Sequence, residues 1–121
     1  DRNFILKVMK HNANAVFFAD KKFKKDKKLV LIAVKKDEEA CYYIDDSLLK
    51  DEKFVLNILK QGSYILPFCG DNFYKNKEII LEAQKLLNKK ITLLSKKKTD
   101  VNKKEIIRWE YFLSEIKKKR K

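Results

Sequence analysis

The sequence contains few of the residues that interrupt helices or build catalytic and metal sites. Its 121 residues include two glycines, one proline, two cysteines and one histidine, His11. The shortage of glycine and proline makes long loops and β-turns rare, which favours helices. Two glycines cannot form the glycine-rich loops that bind phosphate, and one histidine with two cysteines is too few ligands for an ordinary zinc site. We therefore expect no enzyme activity, no catalytic residue, no cofactor and no metal.

Long apolar runs and a secretion signal are also missing from the sequence. No stretch of about 18 consecutive apolar residues exists, so we expect no integral membrane segment. Two cysteines are too few for a disulfide framework, and Cys41 and Cys69 fall at apolar positions. We expect both to be buried, reduced thiols in a cytoplasmic or otherwise intracellular protein.

The sequence repeats itself every 25 residues, without insertion, for four copies. Each copy opens with Asp or Asn, continues with bulky apolar residues and ends its first segment in lysine. The openings read DRNFILKVMK, DKKLVLIAVK, DEKFVLNILK and NKEIILEAQK; they begin at Asp1, Asp26, Asp51 and Asn76 and end at Lys10, Lys35, Lys60 and Lys85. A fixed period of this length is typical of stacked repeat proteins.

Apolar residues within each copy have the spacing of a wide helical face. The opening Asp or Asn is suited to an N-cap, and the closing lysine suits the negative end of the helix dipole. A second apolar cluster, about two turns long, predicts a short helix. An Asp two or three residues before an apolar anchor then predicts a capped single turn of 3₁₀ type, beginning at Asp20, Asp45 and Asp71 and ending at Phe23, Leu48 and Phe73.

A unit of long helix, short helix and turn cannot bury its apolar face alone, so neighbouring units must stack. The sequence therefore predicts an all-α protein, a short α-helical repeat solenoid. Its units are residues 1–25, 26–50, 51–75 and a degenerate 76–100, followed by a C-terminal segment 101–121 with a capping helix over 101–118 and a basic tail. No capping helix precedes the first unit, so we expect a monomer or the C-terminal part of a longer array with repeats upstream.

These units resemble a tandem helical repeat family catalogued as a domain of unknown function. Its units read roughly D-x-x-h-V-L-x-A-V-K, followed by a short A-L-x-Y-A-like helix and an h-L-K ending. The best agreement is at residues 26–35, 40–44 and 48–50, and the resemblance covers residues 1 to about 85. It implies a short α-solenoid of the kind scattered among bacterial, protist and viral proteins, and it implies no catalytic residue.

The chain is strongly basic, with 30 Lys and Arg residues against 17 Asp and Glu residues and a net charge of +13. Basic residues concentrate at the two ends, whereas acidic residues outnumber them in residues 26–50. This charge permits contact with nucleic acid, anionic lipid or an acidic protein. However, only Arg2, Arg108 and Arg120 are arginine. Because arginine is preferred where phosphate is bound bidentately, its scarcity counts against a dedicated phosphate-binding surface.

We therefore expect a non-enzymatic scaffold for protein–protein interaction, which binds a protein partner along the short helices and turns. The candidate contact residues are the positions of that ridge that the core does not require, and we expect them to be exposed: Phe17, Lys21, Lys22, Tyr42, Asp45, Asp46, Tyr64 and Asn72.

The alternative is a domain that binds the backbone of single-stranded RNA or DNA. It would use the dense basic segment Lys21, Lys22, Lys24, Lys25, Lys27 and Lys28, with Phe17, Tyr42, Tyr64 and Tyr74 as stacking platforms. A third alternative, acid–base or divalent-ion chemistry at the acidic residues 37–39 and 45–46, matches no known loop motif. We therefore interpret these carboxylates as a solvated connection.

Overall fold

The computed structural model describes residues 1–97 and 99–120, and every regular element within them is helical, which confirms the all-α prediction. The α-helices of this described part are α1 (Arg2–Met9), α2 (Lys21–Lys24), α3 (Lys27–Lys36), α4 (Asp46–Leu49), α5 (Glu52–Gln61), α6 (Lys77–Ser95) and α7 (Asp100–Lys119). The 3₁₀ helices are η1 (Ala13–Phe18), η2 (Glu38–Tyr43) and η3 (Leu66–Phe68). Lys98, in the predicted fourth unit, and Lys121, in the predicted basic tail, lie outside the described residues.

The short helix predicted at the second apolar cluster is present in the first three units, whereas the capped turn of the first two units differs from the prediction in helix type. The second apolar cluster forms the 3₁₀ helices η1 and η2, because Asn12 and Asp37 accept hydrogen bonds from the backbone two residues on and start a tight turn. The capped single turns form the α-helices α2 and α4, in which Lys25 N–H donates to the Lys21 carbonyl oxygen at 3.3 Å. The prediction of a 3₁₀ turn at Asp20 and Asp45 is therefore wrong in type, although both residues do cap their turns.

Asp71 does not cap a turn in the third unit, so that prediction is wrong. Residues 70–75 form turns without a helix, and Gly70 has a φ of 64°, in the left-handed region. The Asp71 carboxylate instead accepts a hydrogen bond of 2.9 Å from Lys119 Nζ at the end of α7. A distant helix thus uses the side chain that the earlier units use for capping.

The opening residue of each predicted unit caps the long helix that follows, as expected. The side chains of Asp1, Asp26, Asp51 and Asn76 accept from backbone N–H groups in the first turns of α1, α3, α5 and α6. Such caps are each worth about 1 kcal/mol. Lysine lies at or near the ends of α1, α3 and α5, as the helix dipole favours.

The fourth unit differs because α6 continues through Lys85 to Ser95 as one helix. The predicted helix end at Lys85 is therefore wrong. The earlier units carry Asn12, Asp37 or Gly62 at the position where the long helix ends, and the corresponding residue here is Leu87. Leucine favours continuation of a helix, whereas Asn and Asp favour caps and Gly favours the left-handed C-terminal position, which Gly62 adopts with a φ of 105°.

The N-caps also join successive units through their second polar atom. One Asp26 oxygen caps α3 while the other accepts from Arg2 Nε at 2.9 Å. Asp51 repeats this arrangement, with Lys27 Nζ 2.5 Å from its second oxygen. Asn76 uses its oxygen as the cap and donates from Nδ2 to Glu52 Oε1. We call these three contacts the cap ladder.

The cap ladder also shifts the acidity of its carboxyl groups. The hydrogen bond from Lys27, followed by that from the Phe54 backbone, lowers the pKa of Asp51. Partial burial acts to raise the pKa of Asp26, but hydrogen bonds from Arg2 and from the Leu29 backbone outweigh it, so the pKa lies below its usual value. Both carboxyls are therefore held in their charged form.

The core is one cluster that runs through all the long helices and joins them to α7. Equivalent positions of successive units supply it: Leu29, Phe54 and Ile79 are buried, as are Val30, Val55 and Ile80. Helix α3 contacts η1, η2 and α5, α5 contacts α6, and α6 contacts α7. The predicted helix over 101–118 is present as α7, with Trp109 and Ile116 buried. Cys41 and Cys69 are buried and free, as expected.

None of the helices in the described part of the chain is both long enough and apolar enough to cross a membrane.

Candidate binding surface

The predicted ridge residues divide into buried and exposed groups. Phe17 and Tyr64 are each only 5% exposed, so the expectation that they are available for contact is wrong. Phe17 packs against Tyr43, with ring centroids 5.7 Å apart. Tyr64 is covered by Trp109 and Phe112 of α7, at 6.2 and 4.9 Å. Because α7 is far away in the sequence, the repeat pattern gave no sign that Tyr64 is covered.

The other predicted contact residues reach the surface to different degrees. Tyr42 is 73% exposed, and the remaining exposed side chains are Lys21, Lys22, Asp46 and Asn72, whereas Asp45 is half-buried. Asp45 caps α4, and the hydrogen bonds from the Ser47 hydroxyl and backbone lower the pKa of Asp45. Asn72 donates to the Cys69 carbonyl oxygen at 2.9 Å. Asp45 and Asn72 therefore have local structural roles.

An exposed row of aromatic side chains lies on the 3₁₀ helices, and the sequence prediction named only one of its members. Phe18 is 76% exposed and lies 6.1 Å from Tyr43, which is 52% exposed. Tyr42, next to Tyr43, contacts the edge of Phe68 at 4.9 Å. We call Phe18, Tyr43, Tyr42 and Phe68 the aromatic ridge. It spans all three 3₁₀ helices and so crosses three predicted units.

The signal for the aromatic ridge was the adjacent pair at the same position of successive units, Phe17–Phe18 and Tyr42–Tyr43. A 3₁₀ helix turns about 120° per residue, so two neighbouring side chains point in different directions. In η1 Phe17 enters the core and Phe18 lies outside it, whereas in η2 both Tyr42 and Tyr43 are exposed. Paired aromatics therefore indicate that at least one ring of the pair is exposed, although the sequence does not show which.

A groove of about 210 Å³ adjoins the ridge, between η2, η3 and α7. We call it the aromatic groove; it is lined by Glu38, Glu39, Cys41, Tyr42, Tyr64, Phe68, Arg108 and Trp109. The Arg108 guanidinium lies 5.0 Å from the centre of the Trp109 ring and 5.7 Å from that of Phe112. Glu38 and Glu39, both exposed, also line the groove and add negative charge. The groove thus combines aromatic side chains with one cationic and two anionic residues.

The thiol in this groove is a weak nucleophile. Burial, with the nearby Glu38 and Asp37 carboxylates, raises the pKa of Cys41 to about 12. Burial and the neighbouring Cys41 raise the pKa of Cys69 to the same value. Since the thiolate is the reactive form, neither residue is prepared for catalysis at neutral pH. The described residues contain no group of three or more His, Cys, Asp or Glu side chains arranged to hold a metal ion.

The basic segment of the alternative prediction is only partly available. Lys21, Lys22, Lys25, Lys27 and Lys28 are exposed, and Lys24 is half-buried. Lys27 is held by Asp51 in the cap ladder, and Lys22 lies 5.0 Å over the ring of the half-buried Phe23. Of its proposed stacking platforms, Phe17, Tyr64 and Tyr74 are buried, and only Tyr42 presents an exposed ring.

The fold and this surface define an all-helical protein with an exposed aromatic surface. The family described as "Domain of unknown function (DUF4116)" matches residues 1–49 and again residues 28–74. Together the two matches span more than half of the chain, so the protein belongs to that family. Each match is close to two predicted units long. The predicted unit motif and the distribution among bacterial, protist and viral proteins stay predictions. No curated protein and no solved structure is significantly similar to the chain.

Proposed function

We propose that this protein is a non-enzymatic helical repeat module, a short α-solenoid, that binds a protein partner along its aromatic ridge. The cap ladder supports the solenoid arrangement, because equivalent residues of consecutive units contact each other in the same way. Residues of equivalent position also fill the core. Two buried free thiols fit a reducing, intracellular compartment.

The aromatic ridge carries the proposal. Phe18, Tyr42 and Tyr43 are all more than half exposed and lie on adjacent 3₁₀ helices. The ring of Phe18 lies beside that of Tyr43, and the ring of Tyr42 lies beside that of Phe68. Exposed apolar patches mark interaction sites. Tyrosine is enriched among the residues that dominate binding energy at protein interfaces. It combines a large apolar ring with a hydroxyl that donates and accepts hydrogen bonds.

The aromatic groove supports a protein as the occupant rather than a small molecule. Pockets for small ligands hold about 300–1,000 Å³, and this groove holds less, about 210 Å³. A groove of that size accommodates one large side chain as an anchor, which is how dominant contacts at protein interfaces are built. Glu38 and Glu39 at its edge favour an anchor that is followed by lysine or arginine in the partner.

A peptide library displayed on phage and selected on the immobilised protein tests this function. We expect enriched peptides with an aromatic or aliphatic anchor beside a basic residue. The dissociation constants of the purified peptides are then measured with Tyr42→Ala and with Tyr111→Ala, an exposed tyrosine on α7 that serves as the matched control. Tyr42→Ala should weaken binding by about 2 kcal/mol, and Tyr111→Ala should leave it unchanged. Equal binding to the wild type and to Tyr42→Ala would contradict the proposal.

Nucleic-acid binding remains the second candidate, favoured by the exposed lysines of residues 21–28. Anisotropy of labelled single-stranded RNA and duplex DNA at about 50 and 200 mM salt distinguishes it, because several phosphate contacts make affinity fall by orders of magnitude over this range. Our proposal predicts that any binding disappears at the higher salt. Micromolar binding there, lost when Lys21, Lys22, Lys24 and Lys25 become glutamine, would make nucleic acid the leading function.

A further inference from the structure

A second groove lies where the N-terminus of α6 meets the C-terminus of α7. It holds about 500 Å³ and is lined by Tyr74, Lys75, Lys77, Ile80, Leu81, Gln84 and Arg120. Among the described residues, no carboxylate lines it. We call it the basic groove. Its volume is more than twice that of the aromatic groove and lies in the range that holds a ligand larger than one side chain.

Arg120 is held at this groove by the packing of the last turn of α7. Ile116 is completely buried, and the Arg120 N–H donates to its carbonyl oxygen at 3.1 Å. Lys119 binds Asp71 at 2.9 Å and lies 4.9 Å from the centre of the Tyr74 ring. The hydrogen bond from Lys119 to Asp71 raises the pKa of this lysine, so Lys119 stays positively charged in the contact. These contacts fix the helix end, and with it the starting point of the Arg120 side chain.

Arg120 differs from the other two arginines of the chain. Arg2 is paired with Asp26, and Arg108 lies over Trp109 and Phe112. Within residues 1–97 and 99–120, no carboxylate forms an ion pair with Arg120. A guanidinium matches the geometry of a carboxylate in two parallel hydrogen bonds, which a lysine does not. Within the described residues Arg120 therefore lacks both kinds of contact, and it lines a groove to which those residues contribute no acidic side chain.

The apolar residues of the basic groove and the N-terminus of α6 further restrict the chemical type of ligand that fits. Leu81 is 52% exposed and, with Ile80, supplies an apolar floor. Lys77 is the first residue of the nineteen-residue helix α6, whose N-terminal dipole adds positive potential. Single-strand-binding proteins combine cationic side chains with exposed aromatic rings, whereas the one ring that lines this groove, Tyr74, is 6% exposed, which favours a peptide over a nucleic-acid strand.

We propose that the basic groove binds an acidic peptide segment, in which carboxylates contact Arg120 and Lys77 while a leucine or similar apolar side chain lies on Leu81. This site is independent of the aromatic ridge. Charge complementarity requires a negatively charged ligand, and the apolar floor requires an apolar residue between the carboxylates of that ligand. A second partner segment, or a second partner, is thereby assigned to the C-terminal end of the protein.

The test uses the anisotropy of a short fluorescein-labelled peptide of Glu-Glu-Leu repeats, at about 150 mM salt. The Lys77→Gln, Arg120→Gln double variant is compared with Lys103→Gln, Lys104→Gln, which removes the same charge from exposed residues of α7 outside the groove. We expect at least about a tenfold loss of affinity in the first and less than about a twofold loss in the second. Equal losses in both variants would overturn the proposal, since they would show binding to net charge alone.

The apolar floor is tested with a peptide of Glu-Glu-Ser repeats and with a pair of leucine variants. Leu81→Ser should weaken binding of the leucine peptide, whereas Leu93→Ser, at an equally exposed leucine of α6 outside the groove, should not. The proposal is overturned if the serine peptide binds as tightly, or if single-stranded DNA binds with the same dependence on Arg120. Circular dichroism confirms that the variants are folded. Tyr42→Ala should leave this binding unchanged, so failure here is distinct from failure of the aromatic ridge.

Discussion

Asn76 donates a hydrogen bond to Glu52, and this contact reverses the polarity of the equivalent contacts in the two preceding units. Arg2 and Lys27 are cations that approach the aspartates Asp26 and Asp51, whereas Glu52 is an anion and its partner is an amide. Glu52 and Asn76 both differ in type from the residues at equivalent positions in the earlier units, and the two positions are still in contact. The N-cap residue therefore also forms the contact between units. This contact tolerates a change of charge when both contacting residues change together.

A double-mutant cycle at Glu52 and Asn76 tests this coupling. Asn76→Asp alone should destabilise the fold, because its carboxylate would face Glu52. Glu52→Lys alone removes the carboxylate that accepts the hydrogen bond from the Asn76 amide. The double variant recreates the type of contact that Lys27 and Asp51 form one unit earlier. We expect a coupling free energy of about 0.5–1 kcal/mol from urea unfolding. Additive effects of the two substitutions would show that the contact contributes nothing to the junction.

The cap ladder also predicts how stability depends on pH. The pKa of Asp26 and of Asp51 is lower in the folded chain than the usual value of about 3.9, so the unfolded chain binds these protons first. The stabilisation is complete above about pH 5 and is lost as the pH falls through the folded pKa values. Both carboxyls are only partly buried and lie at the surface, so each should contribute under about 1 kcal/mol.

Urea unfolding at about pH 6, 4 and 3 measures this loss. Asp51→Asn retains a capping oxygen and cannot be protonated in this range, so the loss of stability in acid should be smaller in this variant. If the wild type and Asp51→Asn lost stability in parallel, the lowered pKa of Asp51 would have no energetic consequence.

Trp109 joins α7 to the third unit, and its removal should be costly. The side chain is 7% exposed and contacts the rings of Tyr64 and Phe112. Trp109→Ala should lower the free energy of unfolding by about 3–5 kcal/mol. Ile107→Ala, at a 67% exposed position of the same helix, should change it by less than about 0.5 kcal/mol. Circular dichroism follows both transitions; similar midpoints for the two variants would mean that α7 is not part of the cooperative fold.

The two thiols should be unreactive until the chain unfolds. With a pKa of about 12, Cys41 and Cys69 carry on the order of a thousandfold less thiolate near pH 8 than an ordinary cysteine. A colorimetric disulfide reagent should therefore react slowly with the native protein and rapidly in denaturant. The single variants Cys41→Ala and Cys69→Ala separate the two sites. A fast-reacting thiol in the native protein at either site would contradict its burial.

Features that depend on nearby residues could be predicted from the sequence. The caps at Asp1, Asp26, Asp51 and Asn76 follow from one side chain and the turn after it, and the long helices follow from apolar spacing. The prediction that the first helix of the fourth unit ends at Lys85 is wrong, because the repeat pattern alone does not determine where the helix ends. In the first three units Asn, Asp or Gly stands two residues after the lysine, whereas Leu87 stands at that position in α6 and the helix continues.

The binding surface could be predicted in location but not in detail. The ridge of short helices was expected to carry exposed aromatics, and Tyr42 is exposed. Phe17 is buried and its neighbour Phe18 is exposed, the reverse of the prediction for Phe17, because the direction of a side chain in a short 3₁₀ helix depends on how the helix is packed. The prediction for Tyr64 rests on its position in the repeat, which does not show that α7 covers this ring from more than forty residues away.

Site-specific photo-crosslinking tests the central claim, that the aromatic ridge contacts a protein, most directly. A photoreactive phenylalanine analogue replaces Tyr42 in one variant and Tyr111 in the control, and both are irradiated in the cells that make the protein. The account predicts a discrete protein crosslink from position 42 and none of the same product from position 111, with the purified partner then losing affinity for Tyr42→Ala. Crosslinks to nucleic acid from position 42, or the same protein crosslinked equally from both positions, would contradict it.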